Sequence, residues 1–232
     1  MKLAIMQPYF LPYIGYFQLI GAVDTFVVYD NIKYTKIGWV NRNRMLRDGV
    51  DVTFSLPLAK DSDSLDIVER QLAADFDREK LLNQFKGAYA KAPYFDSAFP
   101  ILASIVRCEE RNLFRYIYHS IVELCGHLGL ATEIRISSEI HIDHDLKSQE
   151  KVLALCEALG ADTYINAIGG LELYRSEDFG LRYVKLQFIK SKPFDYPQFT
   201  VPTVPWLSIA DILMFNSLDV VKERISNGYE LI

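Results

Sequence analysis

Alternation of short apolar runs with segments of helical periodicity constrains this chain most, because strands separated by helices build a mostly parallel sheet that needs cover on both faces. "KLAIMQP" reads as a buried strand, "PYIGYFQLIGAV" as a helix entered through a short loop, and "DTFVVYD" as a second strand bounded by Asp24 and Asp30. A turn at Asp48-Gly49 leads into a third strand, "DGVDVTFSLPL". From Leu65 to Gly129 the pattern is helical, broken at Pro93 and Pro100, and includes the amphipathic run "ILASIVRCEERNLFRYIYHSIVELCGHLGL". "TEIRISSEI", "DTYINA" and "RYVKLQFIK" supply three more strands, "KSQEKVLALCEALGA" a helix closed near Gly160, and "WLSIADILMFN" and "LDVVKERISN" two final helices. The expectation is an α/β fold: one domain over residues 1–232, a mostly parallel sheet with helices on both faces, and a helical insertion at about 65–130.

Composition excludes several classes of function. With 50% hydrophobic and 24% charged residues the chain can bury a full core, yet no apolar run approaches the roughly 20 residues of a membrane span, so no membrane insertion is expected. The start, "MKLAIMQPYF", is interrupted by Pro8 and aromatics and shows no cleavage pattern, so a cytoplasmic location is expected. Cys108, Cys125 and Cys156 are odd in number and far apart, which suits buried thiols rather than a disulfide framework or zinc cluster. A net charge of −5, with basic residues not spread along one face, argues against a nucleic-acid partner.

In open parallel sheets, ligands bind beyond the carboxyl ends of the strands, where connections reverse direction. Gln7, Tyr9, Tyr13, Gly15 and Tyr16 leave the first strand there, and Asp30, Asn31, Lys33 and Lys36 leave the second, so both groups are expected to share a cleft. Gly15 allows close backbone approach, and the amino end of the following helix suits a phosphate or carboxylate. Phe17 packs the helix; Tyr13 and Tyr16 either do the same or face the ligand. "KIGWVNRNR" brings Lys36, Arg42 and Arg44 together with Trp39, Asn41 and Asn43; guanidinium forks grip phosphates or carboxylates at two points. If that segment is extended, Arg42 and Arg44 share one face while Asn41, Asn43 and Met45 share the other.

Elsewhere the signals are weaker. "HIDHD", with His141, Asp143, His144 and Asp145, lacks a metal-ligand spacing, and no metal is expected. His119 and His127 sit in the long amphipathic helix as packing residues. "INAIGGLELY" is an ordinary loop or a backbone cradle, Gln187 and Gln198 are candidate polar contacts, and Ser208 with Asp211 has the spacing of a helix cap and first turn. No Gly-x-Ser-x-Gly elbow, P-loop or Gly-x-Gly-x-x-Gly is present, which lowers serine hydrolases, P-loop kinases and classical dinucleotide dehydrogenases.

Together, "IMQPYFLPYIGYFQLI", "VDTFVVYDNIKYTKIGWVNRNR", "LGADTYINAIGG", "YPQF" and "LSIADILMFN" resemble the WbqC-like family over nearly the whole chain. That resemblance implies a bacterial cytoplasmic protein of polysaccharide or O-antigen biosynthesis, and members are sometimes described as glycine or acyl transferases. Where members often resemble "DDVQYTK", this chain has "DNIKYTK", so Asn31 and Lys33 alter a paired acidic site. The strand, "PYIGY" turn and helix also look like the His-x-Gly-His opening of nucleotidylyltransferases and pantothenate synthetase, with Tyr13 and Tyr16 where that motif has histidines. A phenol donates to phosphate oxygen but stays neutral at pH 7.

The resulting expectation is an enzyme that transfers a glycyl or other acyl group to the amine of a nucleotide-linked amino sugar. The cofactor is unspecified, ATP or a nucleotide-activated sugar being the candidates. Tyr13, Gly15 and Tyr16 would border the phosphates, Lys36, Arg42 and Arg44 neutralise developing charge, Asp30 orient or deprotonate the amine, and Trp39 and Tyr9 stack on a ring. The alternative is a nucleotide-sugar binding or assembly protein without catalysis. The middle helices either cover the cleft or form the contact of a homodimer.

Overall fold

The computed structural model describes all residues 1–232. A six-stranded sheet is built from β1 (Lys2–Met6), β2 (Thr25–Val28), β5 (Glu133–Ile136), β6 (Thr163–Ala167), β7 (Lys185–Ser191) and β8 (Tyr229–Leu231), in the order β5-β2-β1-β6-β7-β8. All neighbours pair parallel except β7 and β8. This is the mostly parallel α/β sheet expected. Its central strands are continuous apolar runs because helices cover both faces.

Alternation along the strands sorts the two faces. Leu3 and Ile5 of β1, Val27 of β2 and Tyr164 of β6 join one buried cluster with Val152, Leu153, Leu155 and Cys156 of α5 (Ser148–Leu159) and Phe179 of α6 (Ser176–Leu181). The intervening Ala4, Phe26, Val28 and Ile165 face α1 (Ile14–Gly21) and α8 (Leu218–Asn227) in a larger cluster. That second cluster runs on without interruption into α2 (Arg78–Tyr89), α3 (Phe95–Arg107), α4 (Leu113–Leu128) and α7 (Ile209–Phe215), through Phe85, Tyr89, Leu102, Tyr116 and Met214. No helix is long and apolar enough to cross a membrane.

Several elements differ from the sequence reading. The expected third strand does not join the sheet. Arg42–Arg47 (β3) and Val50–Ser55 (β4) form a separate antiparallel hairpin. Asp48 and Gly49 both have positive φ, 52° and 81°, as a tight two-residue hairpin turn requires. In β4 only Phe54 is buried, a one-sided pattern that suits a hairpin lying on the core and not a strand covered on both faces. Pro100 lies within α3 on an exposed position instead of breaking the helical run. The break falls at residues 108–112, where the Asn112 side chain accepts from Arg115 N at 3.0 Å and caps α4. The "YEL" strand β8 carried no apolar alternation to announce it. Gly160 closes α5 with φ 67°, as expected.

Candidate functional site

From β1 the chain moves outward to β2 and β5, and then returns to the other side of β1 to lay down β6 and β7. Connections therefore reverse between β1 and β6, and a crevice opens beyond the carboxyl ends of those two strands. A chamber of about 730 Å³ occupies it, lined by Gln7, Tyr9, Tyr13 and Gly15 after β1, by Asn166 near the end of β6 and Gly169 and Gly170 after it, and by Tyr29, Ser148 and Tyr174. A second chamber of about 460 Å³ lies beside it, walled by Trp39, Asn43, Arg44, Ile168, Lys190 and Trp206. Tyr9 and Tyr13 border both chambers and form the wall they share.

The loop that carries these two tyrosines is clamped from below. Asn43 is buried, and its Nδ2 donates to Leu11 O at 2.8 Å; Ser208 Oγ donates to the same carbonyl at 2.7 Å. Phe10 N donates to Val40 O, and Ile209 N to Pro12 O. Leu11, fully buried, has φ 45°, a conformation that a non-glycine residue holds only where its surroundings over-determine it. Hairpin and α7 thus jointly aim residues 9 and 13.

Gly15 lines the larger chamber and also makes room for a neighbouring ring. The Tyr13 ring folds back over the first turn of α1, and a Cβ at Gly15 would overlap its Cε2, Cζ and hydroxyl. Tyr13 also meets the edge of Trp206, with ring centroids 6.1 Å apart. Tyr16 is buried, and its hydroxyl donates to Gln7 O at 3.0 Å, so it packs the helix and braces the strand end. Burial raises the phenol pKa of Tyr9, Tyr13 and Tyr16, and pushes Tyr29 up to about 12, so all four are neutral donors.

The basic segment divides. Arg44 reaches the smaller chamber, with Nη1 on Asp51 Oδ2 at 2.9 Å and Nη2 on Trp206 O at 3.1 Å, leaving further N–H donors of its fork. Both Arg42 and Arg44 lie over the Trp39 ring, at 5.4 and 6.0 Å from its centroid, on the common face expected of an extended segment. Arg42, however, donates to the carbonyls of Gly38 and Ile37 and ties down the loop that holds Trp39. Asn41 is likewise committed to the protein, accepting from Tyr34 Oη and donating to Leu56 O, both at 2.8 Å.

Of the residues leaving β2, Tyr29 and Ile32 reach the larger chamber, whereas the charged ones, Asp30, Lys33 and Lys36, line neither chamber. Asp30 is fully buried; its carboxylate accepts from Ser137 Oγ at 2.9 Å, Ser138 N at 2.9 Å and Ser138 Oγ at 2.6 Å. It fixes the turn after β5. Lys36 is exposed and pairs with Asp63 at 2.8 Å, and Lys33 is exposed in an isolated bridge to Asp66. Gln187 sits within β7 opposite Ile165, away from either chamber. Gln198 holds the loop before α7, accepting from Val204 N at 2.7 Å and donating to Asp211 Oδ2 at 3.0 Å.

Of the two readings of "INAIGGLELY", the structure takes the cradle: residues Ile168–Leu173 form a 3-10 turn that supplies Gly169 and Gly170 to the larger chamber. Two features escaped the sequence reading. Asn166, the last inward residue of β6, is 5% exposed and enters the chamber wall. Asp211, read as a first-turn residue, is fully buried and accepts from Tyr89 Oη at 2.8 Å and Tyr196 Oη at 2.6 Å as well as from Gln198. Ser208 does cap α7, accepting from Ala210 N at 3.2 Å. No group of three or more His, Cys, Asp or Glu side chains is arranged to hold a metal ion.

A curated protein of Mycobacterium tuberculosis, the uncharacterized protein Rv1507c, is 26% identical to this chain over 215 residues, spanning 91% of this chain and 92% of the relative. The WbqC-like protein family model matches residues 7–223, which takes in the tyrosine loop, the hairpin, the β6 end and α7. On that match the chain belongs to the WbqC-like protein family.

Proposed function

We propose that the protein binds a nucleotide-linked sugar across the two chambers and transfers an acyl group, glycyl among the candidates, to an amine on that sugar, as a step of bacterial polysaccharide or O-antigen assembly. The observation that carries the reading is the shared Tyr9–Tyr13 wall between chambers of different chemistry. On one side, Trp39, Trp206, Arg44 and Lys190 offer flat rings beside cations, suited to a base and its phosphates. On the other, Gln7, Asn166, Tyr29 and the Gly169–Gly170 backbone offer neutral hydrogen-bonding groups suited to a hydroxylated ring. An elongated ligand with an aromatic end, negative charge and a sugar matches both.

Amide formation needs an activated carboxyl, and an acyl-adenylate made from ATP is one route. The sugar amine attacks the acyl carbon, the new C–N bond forms as the C–O bond to phosphate breaks, and the amine gives up a proton. Because Asp30 is engaged with Ser137 and Ser138, Glu172 takes the place of base in this scheme; it is the acidic side chain on the wall of the larger chamber. The engagement of Asp30, Arg42 and Lys36 with the protein itself favours a second reading, binding or delivery of the sugar nucleotide without turnover.

Thermal denaturation with a panel of sugar nucleotides, free nucleotides and free sugars tests the binding claim. A ligand at about 100 times its Kd stabilises by roughly 2.7 kcal/mol. Sugar nucleotides should shift the transition, and more than either half alone. Mass spectrometry after incubation with ATP, glycine and a nucleotide-linked amino sugar then separates the readings: an amide product supports transfer, and binding without product supports the second.

A further inference from the structure

We infer that the α5 side of the larger chamber is an oxyanion site, taking a phosphate or carboxylate group of the cleft's ligand. The inference rests on the cleft being a ligand site and adds where a negative group away from Arg44 and Lys190 would sit.

Strand alternation places Gln7, Tyr29 and Asn166 on the same sheet face as Ile5, Val27 and Tyr164, the face that α5 covers. All three line the chamber, as do Ser148, Gln149 and Val152 of α5 itself. Asn166 is 5% exposed, yet its side-chain amide has no hydrogen-bond partner in the protein. The amide opens onto the chamber, where it is free to bond to what fills it. Its position is fixed closely, since a Cβ at Gly170 would overlap Asn166 Nδ2.

The amino end of α5, a helix of 12 residues, has no side-chain cap. The N–H groups of Gln149 and Glu150 donate to no acceptor in the chain and carry the positive end of the helix dipole, while Ser148, with φ 49°, stands outside helical geometry at the entry to the helix. Acidic side chains that could serve as the missing anion are directed elsewhere or exposed. Glu150 lies 3.8 Å from Arg182 on the outer surface, and Glu172 is exposed. The Gln149 side chain is held by Asp178 and Arg175 N, so it does not fold over the helix end. Lys151, in the same turn, is buried, with Nζ donating to His144 O at 3.2 Å and lying 5.1 Å from the centroid of the Tyr29 ring. Free backbone N–H groups, an unpaired amide and a neutral phenol at Tyr29 form a pocket of donors, the arrangement that binds a compact oxyanion.

The test uses isotope-labelled full-length protein titrated with inorganic phosphate and, separately, with acetate, followed by amide NMR. The backbone resonances of Ser148, Gln149 and Glu150 and the side-chain amide of Asn166 should shift saturably. Saturation with phosphate alone identifies a phosphoryl group, with acetate alone a carboxylate, and with both a site for either. Asn166→Asp, which keeps the shape and adds a negative charge, should weaken this binding at least tenfold, whereas Arg44→Met should leave it unchanged. If Asn166→Asp does not fold, the wild-type resonances decide alone. Unmoved resonances at 148–150 with both anions, or anion binding lost in Arg44→Met and retained in Asn166→Asp, would overturn the oxyanion site. Either result leaves the sugar-nucleotide reading to be judged by its own thermal shifts.

Discussion

Asp211→Asn is the substitution whose consequences can be followed furthest. The carboxylate holds Tyr89 from α2 and Tyr196 and Gln198 from the segment before α7, and Tyr89 Oη in turn accepts from Leu46 N of β3 at 3.0 Å. One buried charge therefore fixes the hairpin that bears Arg44 relative to the segment that bears Trp206, the two sides of the smaller chamber. An amide in its place retains one acceptor oxygen and turns an N–H₂ group toward donors. Loss of a hydrogen bond to a charged group costs about 1.5–3 kcal/mol, and truncating a buried charged network about 3–5 kcal/mol. At about 2–4 °C per kcal/mol for a chain of this length, melting should fall by roughly 3–20 °C in thermal scans followed by circular dichroism.

Burial raises the Asp211 pKa above the usual carboxylate range, against the lowering effect of its three side-chain donors. The sign follows from linkage: a folded-state pKa above the unfolded value means that the native protein binds the extra proton. The group's contribution to stability is then largest below the unfolded value of about 3.9 and declines as pH rises through the folded one. The Asn substitution removes that titration, so its penalty should be greatest in acid and smaller, but constant, at neutral pH. A double-mutant cycle with Tyr89→Phe checks the network itself, since residues sharing one hub couple by about 0.5–3 kcal/mol. Additive effects, or an Asp211→Asn variant that melts like the wild type, would refute the claim that this carboxylate joins the chamber's two sides.

Other perturbations probe the cleft and the core. Gly15→Ala should displace the Tyr13 ring from the α1 turn and from Trp206, a contact of about 0.5–1.5 kcal/mol, while the helix gains about as much from alanine; ligand-induced thermal shifts should shrink with the unliganded melting temperature little changed. Arg44→Met should weaken sugar-nucleotide binding measured by calorimetry, whereas Lys36→Ala, which removes an exposed, solvent-screened ion pair with Asp63, should leave both affinity and melting temperature unchanged. In the native protein a thiol reagent at pH 8 should label Cys108 first, because burial pushes the Cys125 and Cys156 thiols up to about 12; equal rates at all three would contradict the packing of α4 and α5.

Sequence reading worked where a local pattern had one physical cause. Apolar runs bounded by Asp24 and Asp30, Gly160 after a helical period, and positive φ at Asp48-Gly49 are each decided within a few residues, and the sheet, the helix end and the hairpin turn all followed from them. The reading failed wherever a side chain's partner lies far along the chain. Asp30 looks like a cleft residue because it leaves the right end of a strand, but Ser138, 108 positions away, holds its carboxylate. Asp211 looked like a helix-turn residue because nothing nearby in sequence hints at Tyr89, 122 positions away. Asn166 was passed over for the opposite reason: as one polar residue in "DTYINA" it resembles an ordinary strand end, and its significance lies in having no partner at all. Strand order decides the outcome in each case. The reversal between β1 and β6 turns the end of β6 toward the tyrosine loop, and that order depends on pairing between segments more than 130 residues apart in sequence. A basic, aromatic segment announces that a ligand is held; only the order of the strands says which polar residues hold it.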